Sequence, residues 1–339
     1  MSTQTTQVRL AARPHGEPTA ADFETVDVDL PPLEEGQVLL EVRYLSLDPY
    51  MRGRMSDAKS YADPVPVGGV MVGATVCQVV ESRSPDRQVG DWVLSYSGWQ
   101  TRAVADARHT RPLDPGQAPV QTALGVLGMP GFTAYAGLLL LGKPQPGETV
   151  VVAAATGPVG SAVGQIARLK GARAVGVAGG PEKCRALVEE FGFDAAVDHR
   201  GDDFRDRLAD AVPAGIDVYF ENVGGDVWRA VERHLNLYAR IPVCGLVAGY
   251  NATAAPEGPD RFDGFMRRVL TKSLTVRGFI QSEFEREHFG EFVQEMSGWV
   301  RDGQVRYRED VTEGLENVVE AFTGMLAGRN FGKVLVKVS

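Results

Sequence analysis

The chain has 339 residues, enough for two domains with separate cores, and a formal net charge of −9. That charge excludes the basic face that nucleic acid or an anionic membrane surface requires, and no apolar run approaches the roughly 20 residues of a membrane span. Cys77, Cys184 and Cys244 are scattered without a C-x-x-C pair, which suits a reducing compartment and supplies neither a disulfide nor a thiolate–metal framework.

In chain order, Met1 to Thr6 lack a charged-then-apolar leader pattern, so a cytoplasmic protein is expected. To about residue 125 the chain reads as β-rich, with strands over 38–47, 73–80 and 91–96 closely punctuated by Pro and Gly. From Gly128 to about Gly303 the period changes. Strands are expected over 149–154, 172–178, 195–198, 216–221, 239–244 and 274–278, alternating with helices, which predicts an α/β class built on a doubly wound parallel sheet. A Pro- and Gly-rich stretch over 255–264 reads as a mobile loop leading into a helix, where Phe262, Phe265 and Met266 would cover a substrate or serve a subunit interface. An amphipathic helix is expected over 316–326, with Val318, Val319, Phe322, Met325 and Leu326 inward, then a last strand over 333–338 that returns to the first domain. The expected domains are therefore 1–125 with 304–339, and 126–303.

The first strand of the middle domain ends in Ala155-Thr156-Gly157-Pro158-Val159-Gly160-Ser161, and a helix pattern follows at once, with Ile166 and Leu169 inward and Gln165, Arg168 and Lys170 outward. Such a strand hands a dinucleotide pyrophosphate to a helix N-terminus, where unpaired N–H groups and the helix dipole favour an anion. Ala155 stands where G-x-G-x-x-G has its first glycine, so the motif alone leaves a plain strand–turn–helix open. The next strand ends in Gly179-Gly180-Pro181-Glu182-Lys183. An NAD site would place a carboxylate there for the ribose 2′-OH. Here the acid is missing at the strand tip and Lys183 follows, which favours NADP; Arg185 is a second candidate for the phosphate. The alternative is that Lys183 is a solvated first-turn residue.

A β-rich N-terminal domain, a nucleotide-binding middle and a returning C-terminal strand resemble the medium-chain dehydrogenase/reductase superfamily, which implies a GroES-like substrate domain beside a Rossmann domain. Pro66-Val67-Gly68-Gly69-Val70-Met71-Val72-Gly73 lies where its zinc alcohol dehydrogenases have G-H-E-x-x-G. Gly69 replaces the His and Val70 the Glu, and the four clustered cysteines of a structural-zinc lobe are missing, so no metal is expected. Five further motifs run in order: Leu47-Asp48-Pro49-Tyr50-Met51-Arg52-Gly53-Arg54-Met55, Gly128-Met129-Pro130-Gly131-Phe132-Thr133-Ala134-Tyr135, Ala154 to Ser161, Glu221-Asn222-Val223-Gly224-Gly225 and Asn330-Phe331-Gly332-Lys333. Together they resemble the zinc-independent leukotriene B4 dehydrogenase/prostaglandin reductase group, which includes 2-alkenal and curcumin reductases. The resemblance implies NADPH-dependent reduction of a carbon–carbon double bond conjugated to a carbonyl, in a homodimer.

Carried over motif by motif, Thr156, Gly157, Pro158, Val159 and Gly160 would line the pyrophosphate and Lys183 would pair the 2′-phosphate. Asn222 would contact the ribose side, and Cys244, Gly245 and the loop to Tyr250 would lie under the nicotinamide ribose. Phe279, Ile280 and Gln281 would meet the nicotinamide end, Met129 and Thr133 would pack nearby, and Asn330 would reach the coenzyme across the cleft. His199, beside Arg200, stands where the family often has Tyr near the adenosine phosphate; it is either a phosphate ligand or a surface residue at a strand end. Hydride addition to an enone puts negative charge on the carbonyl oxygen, which needs a hydrogen-bond donor in a dry site. Tyr250 is the first candidate and Tyr50 the second, with the coenzyme ribose or a water as competitors, and wall packing as the plainer role for each. Arg52 and Arg54 would meet an acidic substrate tail or cap a loop, with a solvated guanidinium the plainer expectation. A quinone reductase of the same superfamily and a non-catalytic NADPH-binding protein are the alternative readings.

Overall fold

The computed structural model describes residues 3–254 and 258–339. The chain forms two compact units: Val126–Arg308, and Met1–Gly125 together with Glu309–Ser339.

The Val126–Arg308 unit is built on six strands: β1 (Thr149–Ala153), β2 (Arg173–Ala178), β3 (Ala195–Asp198), β4 (Ile216–Phe220), β5 (Leu235–Val243) and β6 (Thr275–Gly278). All pair in parallel, in the order β3-β2-β1-β4-β5-β6. This is the Rossmann strand order, whose switch point lies between β1 and β4. The apolar runs of β1 and β2 are buried on both faces, as a parallel sheet covered by helices requires. Between the strands lie α1 (Pro158–Leu169), α2 (Pro181–Glu189), α3 (Phe204–Ala211), α4 (Gly225–Val231) and α5 (Phe262–Lys272). The core on one face gathers Val151, Val175, Val197, Leu208, Tyr219, Val231 and Ile241.

Four expectations need correction in this unit, the first being Leu169, which was expected inward and is exposed at the end of α1. Gln165 faces inward rather than outward: its amide donates to Ser161 O at 3.0 Å and Arg306 O at 2.8 Å and accepts from Arg306 N at 2.7 Å, so a polar side chain ties α1 to a distant segment. The fifth strand begins at Leu235, earlier than expected, because exposed Tyr238 takes φ +64 and interrupts the alternation without ending the pairing. Of the loop expected over 255–264, residues 255–257 lie outside the described residues, and α5 already begins at Phe262.

The other unit holds a seven-stranded mixed sheet and a two-stranded antiparallel pair, Thr3–Leu10 with Phe23–Leu30. The last strand, Lys333–Lys337, pairs antiparallel with Gln37–Ser46 and parallel with Glu309–Glu313. Helix Val318–Leu326 buries Val318 and Phe322, and Phe322 meets the fully buried Trp99 edge-on at 5.4 Å. Arg52 corrects the expectation of a solvated guanidinium: it is 6% exposed and donates to Gly16 O at 2.8 Å. Arg54 caps the carbonyl of Asp63 at 2.8 Å and lies over the rings of Tyr50 and Tyr61. Among the described residues no helix is long and apolar enough to cross a membrane.

Candidate active site

The carboxyl ends of β1, β2, β3, β4 and β5 form one rim. At its centre α1 starts with Gly157 as an extended N-cap that offers no side-chain cap, and Pro158 fills the first helical position, where no N–H is required. Helix geometry leaves the N–H groups of Val159 and Gly160 without intrahelical acceptors, so this end presents donors and a positive dipole. Gly160 is required by close approach: a Cβ there would lie 2.5 Å from Ala154 O and 2.7 Å from Ala155 Cα. Ala154 itself takes φ +51, turning the chain sharply between β1 and α1. Thr156 is buried in that turn. An anionic pyrophosphate fits this cradle.

Beside it the end of β2 meets the end of β3. Gly180 adopts φ +97 as N-cap of α2. A Cβ on Gly179 would lie 2.8 Å from Arg200 Nε and 3.1 Å from His199 Nε2, so both cationic-type side chains rest on that glycine. Lys183 is close enough to act electrostatically on His199. Burial, then the Arg200 guanidinium, lowers the imidazole pKa below its ordinary value, leaving His199 neutral at pH 7 in the free protein. The motifs missed Asp198. Its carboxylate accepts from Gly180 N at 2.8 Å and Arg200 N at 2.9 Å, and although burial opposes ionisation these bonds hold its pKa below the usual value. That acid is engaged by backbone N–H groups, while His199, Arg200 and Lys183 gather at the same strand tip.

The third part of the rim is organised by Glu221, which sequence reasoning quoted only as a motif letter. It is 2% exposed, and its Oε1 accepts from Tyr219 Oη at 3.0 Å, Val223 N at 2.7 Å and Gly224 N at 2.9 Å. Burial raises its pKa, and these bonds work against the rise. Its backbone carbonyl accepts from Cys244 N and Gly245 N, joining the β4 and β5 tips. Asn222 donates to Ala153 O at 2.8 Å, which ties β4 to β1 through the side chain expected to meet a ribose. The loop from Cys244 then turns through Val247–Gly249 to Tyr250. Tyr250 is half-buried, and its hydroxyl would lie 3.4 Å from a Cβ on Gly245, so it folds back over the rim. Burial, then the Glu221 charge, pushes the Cys244 thiol up to about 12, so it stays protonated.

The remaining expected residues sit as follows. The Phe279 ring is 6% exposed and packs on Phe220 and Gly137, so its side chain belongs to the core while its N–H bonds Val243 O at 3.3 Å. Ile280 is exposed and Gln281 is the N-cap of the helix Ser282–Arg301. Thr133 donates to Met129 O at 2.7 Å. In the other unit, Asn330 folds its amide onto Gly332 O at 2.9 Å. Tyr50 there opens the short helix Tyr50–Arg54, and burial, then the Asp48 charge, raises its phenol pKa well above the ordinary value, so it carries its proton at any physiological pH. Among the described residues no group of three or more His, Cys, Asp or Glu side chains is arranged to hold a metal ion.

Comparisons with known proteins bear on the same elements. Residues 6–113 match the family model described as the N-terminal domain of oxidoreductase, and residues 158–298 match the model described as zinc-binding dehydrogenase. The chain is 56% identical over 330 residues to an NADPH-dependent curcumin reductase of Escherichia coli (strain K12), covering 97% of this chain and 96% of that one. It is 41% identical over 324 residues to prostaglandin reductase 1 of Oryctolagus cuniculus, covering 94% and 89%. Its structure resembles that of CurA in complex with NADPH from Vibrio vulnificus, with a TM-score of 0.96, 51% identity, and 98% and 99% of the two chains covered.

Proposed function

The chain belongs to the zinc-independent medium-chain dehydrogenases/reductases, in the group of curcumin and alkenal reductases, and from that premise we propose that it uses NADPH to reduce the carbon–carbon double bond of α,β-unsaturated aldehydes and ketones. The observation that carries this reading is the pairing, on one rim, of an uncapped helix N-terminus with the Lys183, His199 and Arg200 cluster at Gly179. The first suits a pyrophosphate and the second the extra phosphate of NADP(H).

The bound coenzyme supplies the hydride. Val159 and Gly160 N–H groups take the pyrophosphate, and Lys183 and Arg200 hold the 2′-phosphate with His199 beside them. Asn222, Cys244 and Gly245 would shape the floor under the ribose, and Phe279, Ile280 and Gln281 would line the nicotinamide end. As negative charge grows on the substrate carbonyl oxygen, the Tyr250 hydroxyl donates to it, and an O–H with an ordinary pKa of about 10 keeps its proton at neutral pH. Tyr50 is the second candidate donor, and burial keeps its proton in place. The α-carbon takes its proton from Tyr250, from the coenzyme ribose hydroxyl or from water. Following NADPH consumption across enals, enones and a simple quinone, with NADH as control, tests the reading. Turnover of enones with NADPH supports it; a preference for quinones would move the chain to the quinone reductase class.

The finer reading includes the quaternary state and the compartment. Strand β6 ends the sheet with all four residues exposed, and α5 beside it exposes Leu270 (79%), Phe262 and Met266. An open strand edge with apolar neighbours calls for a cover, and a second copy pairing through β6 provides one. Sedimentation should give a dimer that Val276→Lys with Leu270→Lys converts to monomer; a monomeric wild type would refute the pairing. Three unpaired cysteines fit a cytoplasmic setting.

A further inference from the structure

The turn that delivers Tyr50 is held by a buried ion pair that the mechanism above leaves unused. Lys333 Nζ donates to Asp48 Oδ1 and to Leu47 O, each at 2.6 Å. The two side chains are only 3% and 6% exposed. Ser46 Oγ donates to the other carboxylate oxygen of Asp48. The backbone repeats the tie, with Leu47 N bonded to Val334 O and Met51 N to Asp48 O, both at 3.1 Å. The helix Tyr50–Arg54 starts one residue after Pro49, and the Arg54 guanidinium lies 5.8 Å from the centre of the Tyr50 ring. Both side-chain hydrogen bonds of Lys333 thus end on residues 47 and 48, immediately ahead of Tyr50, while the Glu309 carboxylate on the paired strand adds a longer-range attraction.

Stability alone does not call for this arrangement. A buried ion pair can often be replaced by apolar residues of similar volume at no cost, because desolvation offsets the attraction. What the pair supplies is geometry: an ammonium with two fixed acceptors and a carboxylate with two fixed donors leave the chain one path into Pro49 and Tyr50.

We infer that Lys333 and Asp48 are positioning residues for the reaction: they fix the turn that presents the Tyr50 hydroxyl to the substrate carbonyl. The inference rests on the enone-reductase reading and gives the last residue of Asn330-Phe331-Gly332-Lys333 a role.

Removing one partner would strand a buried charge, so the test removes both. We would measure kcat and KM on one enone for wild type, Asp48→Asn/Lys333→Met, Tyr50→Phe and the triple variant. The pair variant should lose roughly 10- to 100-fold in kcat, the scale of a misplaced reacting group, with KM for NADPH unchanged. The triple variant should be no slower than Tyr50→Phe, since nothing is left to position. Ser46→Ala, which removes a single bond to Asp48, should show the same masking at smaller amplitude and serves if the pair variant does not fold. Effects that multiply in the triple variant, or an unchanged kcat in the pair variant or in Tyr50→Phe, overturn the inference while enone reduction stands. A wild type inert towards every enone with NADPH sinks the parent reading and this one with it.

Discussion

Replacing Tyr250 by phenylalanine is expected to lower kcat by roughly 100-fold, with a much smaller change in the KM for the enone. The reasoning is electrostatic. The ground-state carbonyl carries little charge, so a hydroxyl directed at it adds little to binding. The enolate carries a full negative charge, and a fixed O–H in a site from which water is excluded is stronger there than in solution. The variant keeps the ring, and with it the packing over Gly245. An unchanged kcat would transfer the donor role to the coenzyme ribose or a water. Steady-state rates at saturating NADPH decide between these outcomes.

Replacing Lys183 by alanine is expected to weaken NADPH binding by roughly 10- to 100-fold, the value of a charge-assisted hydrogen bond, and to leave NADH binding alone. His199 adds a pH dependence whose sign follows from its lowered pKa. In the free protein the neutral ring is preferred. The stability this contributes is present above the unfolded value of about 6.5 and is lost as pH falls through it towards the folded pKa. A phosphate beside the ring reverses the preference. NADPH binding should therefore take up a proton below about pH 6.5, and wild type should gain affinity over His199→Gln as pH falls through that window. Calorimetry with both coenzymes measures this. A loss for NADH equal to that for NADPH in Lys183→Ala would remove the lysine from the phosphate site.

The parallel sheet was legible because strands buried on both faces are unbroken apolar runs. Thr149–Ala153 and Arg173–Ala178 were read within one residue. The strand Leu235–Val243 was read short because Asn236 and Tyr238 disturb its pattern, and no local rule anticipates a left-handed tyrosine inside a strand. Polar residues with tertiary partners were misjudged for a related reason. Gln165 and Arg52 look like solvent-facing residues until Arg306 and Gly16, far away in sequence, supply their acceptors. The site was legible where backbone geometry is written in glycines, as at Gly160 and Gly180, and illegible where it depends on contact between strand tips. Glu221 is an ordinary acid in sequence and the hub of three N–H and O–H donors in space. Lys333 and Asp48 lie 285 residues apart, and only the antiparallel pairing of the last strand with Gln37–Ser46 brings them together.

The most direct test of the central claim is to supply one acyclic enone with NADPH that carries deuterium at its transferable position, and to locate the label in the product by NMR. The account predicts a saturated ketone with deuterium on the β-carbon and a solvent-derived proton on the α-carbon. An allylic alcohol with deuterium on the carbinol carbon, showing attack at the carbonyl instead of the alkene, would contradict it.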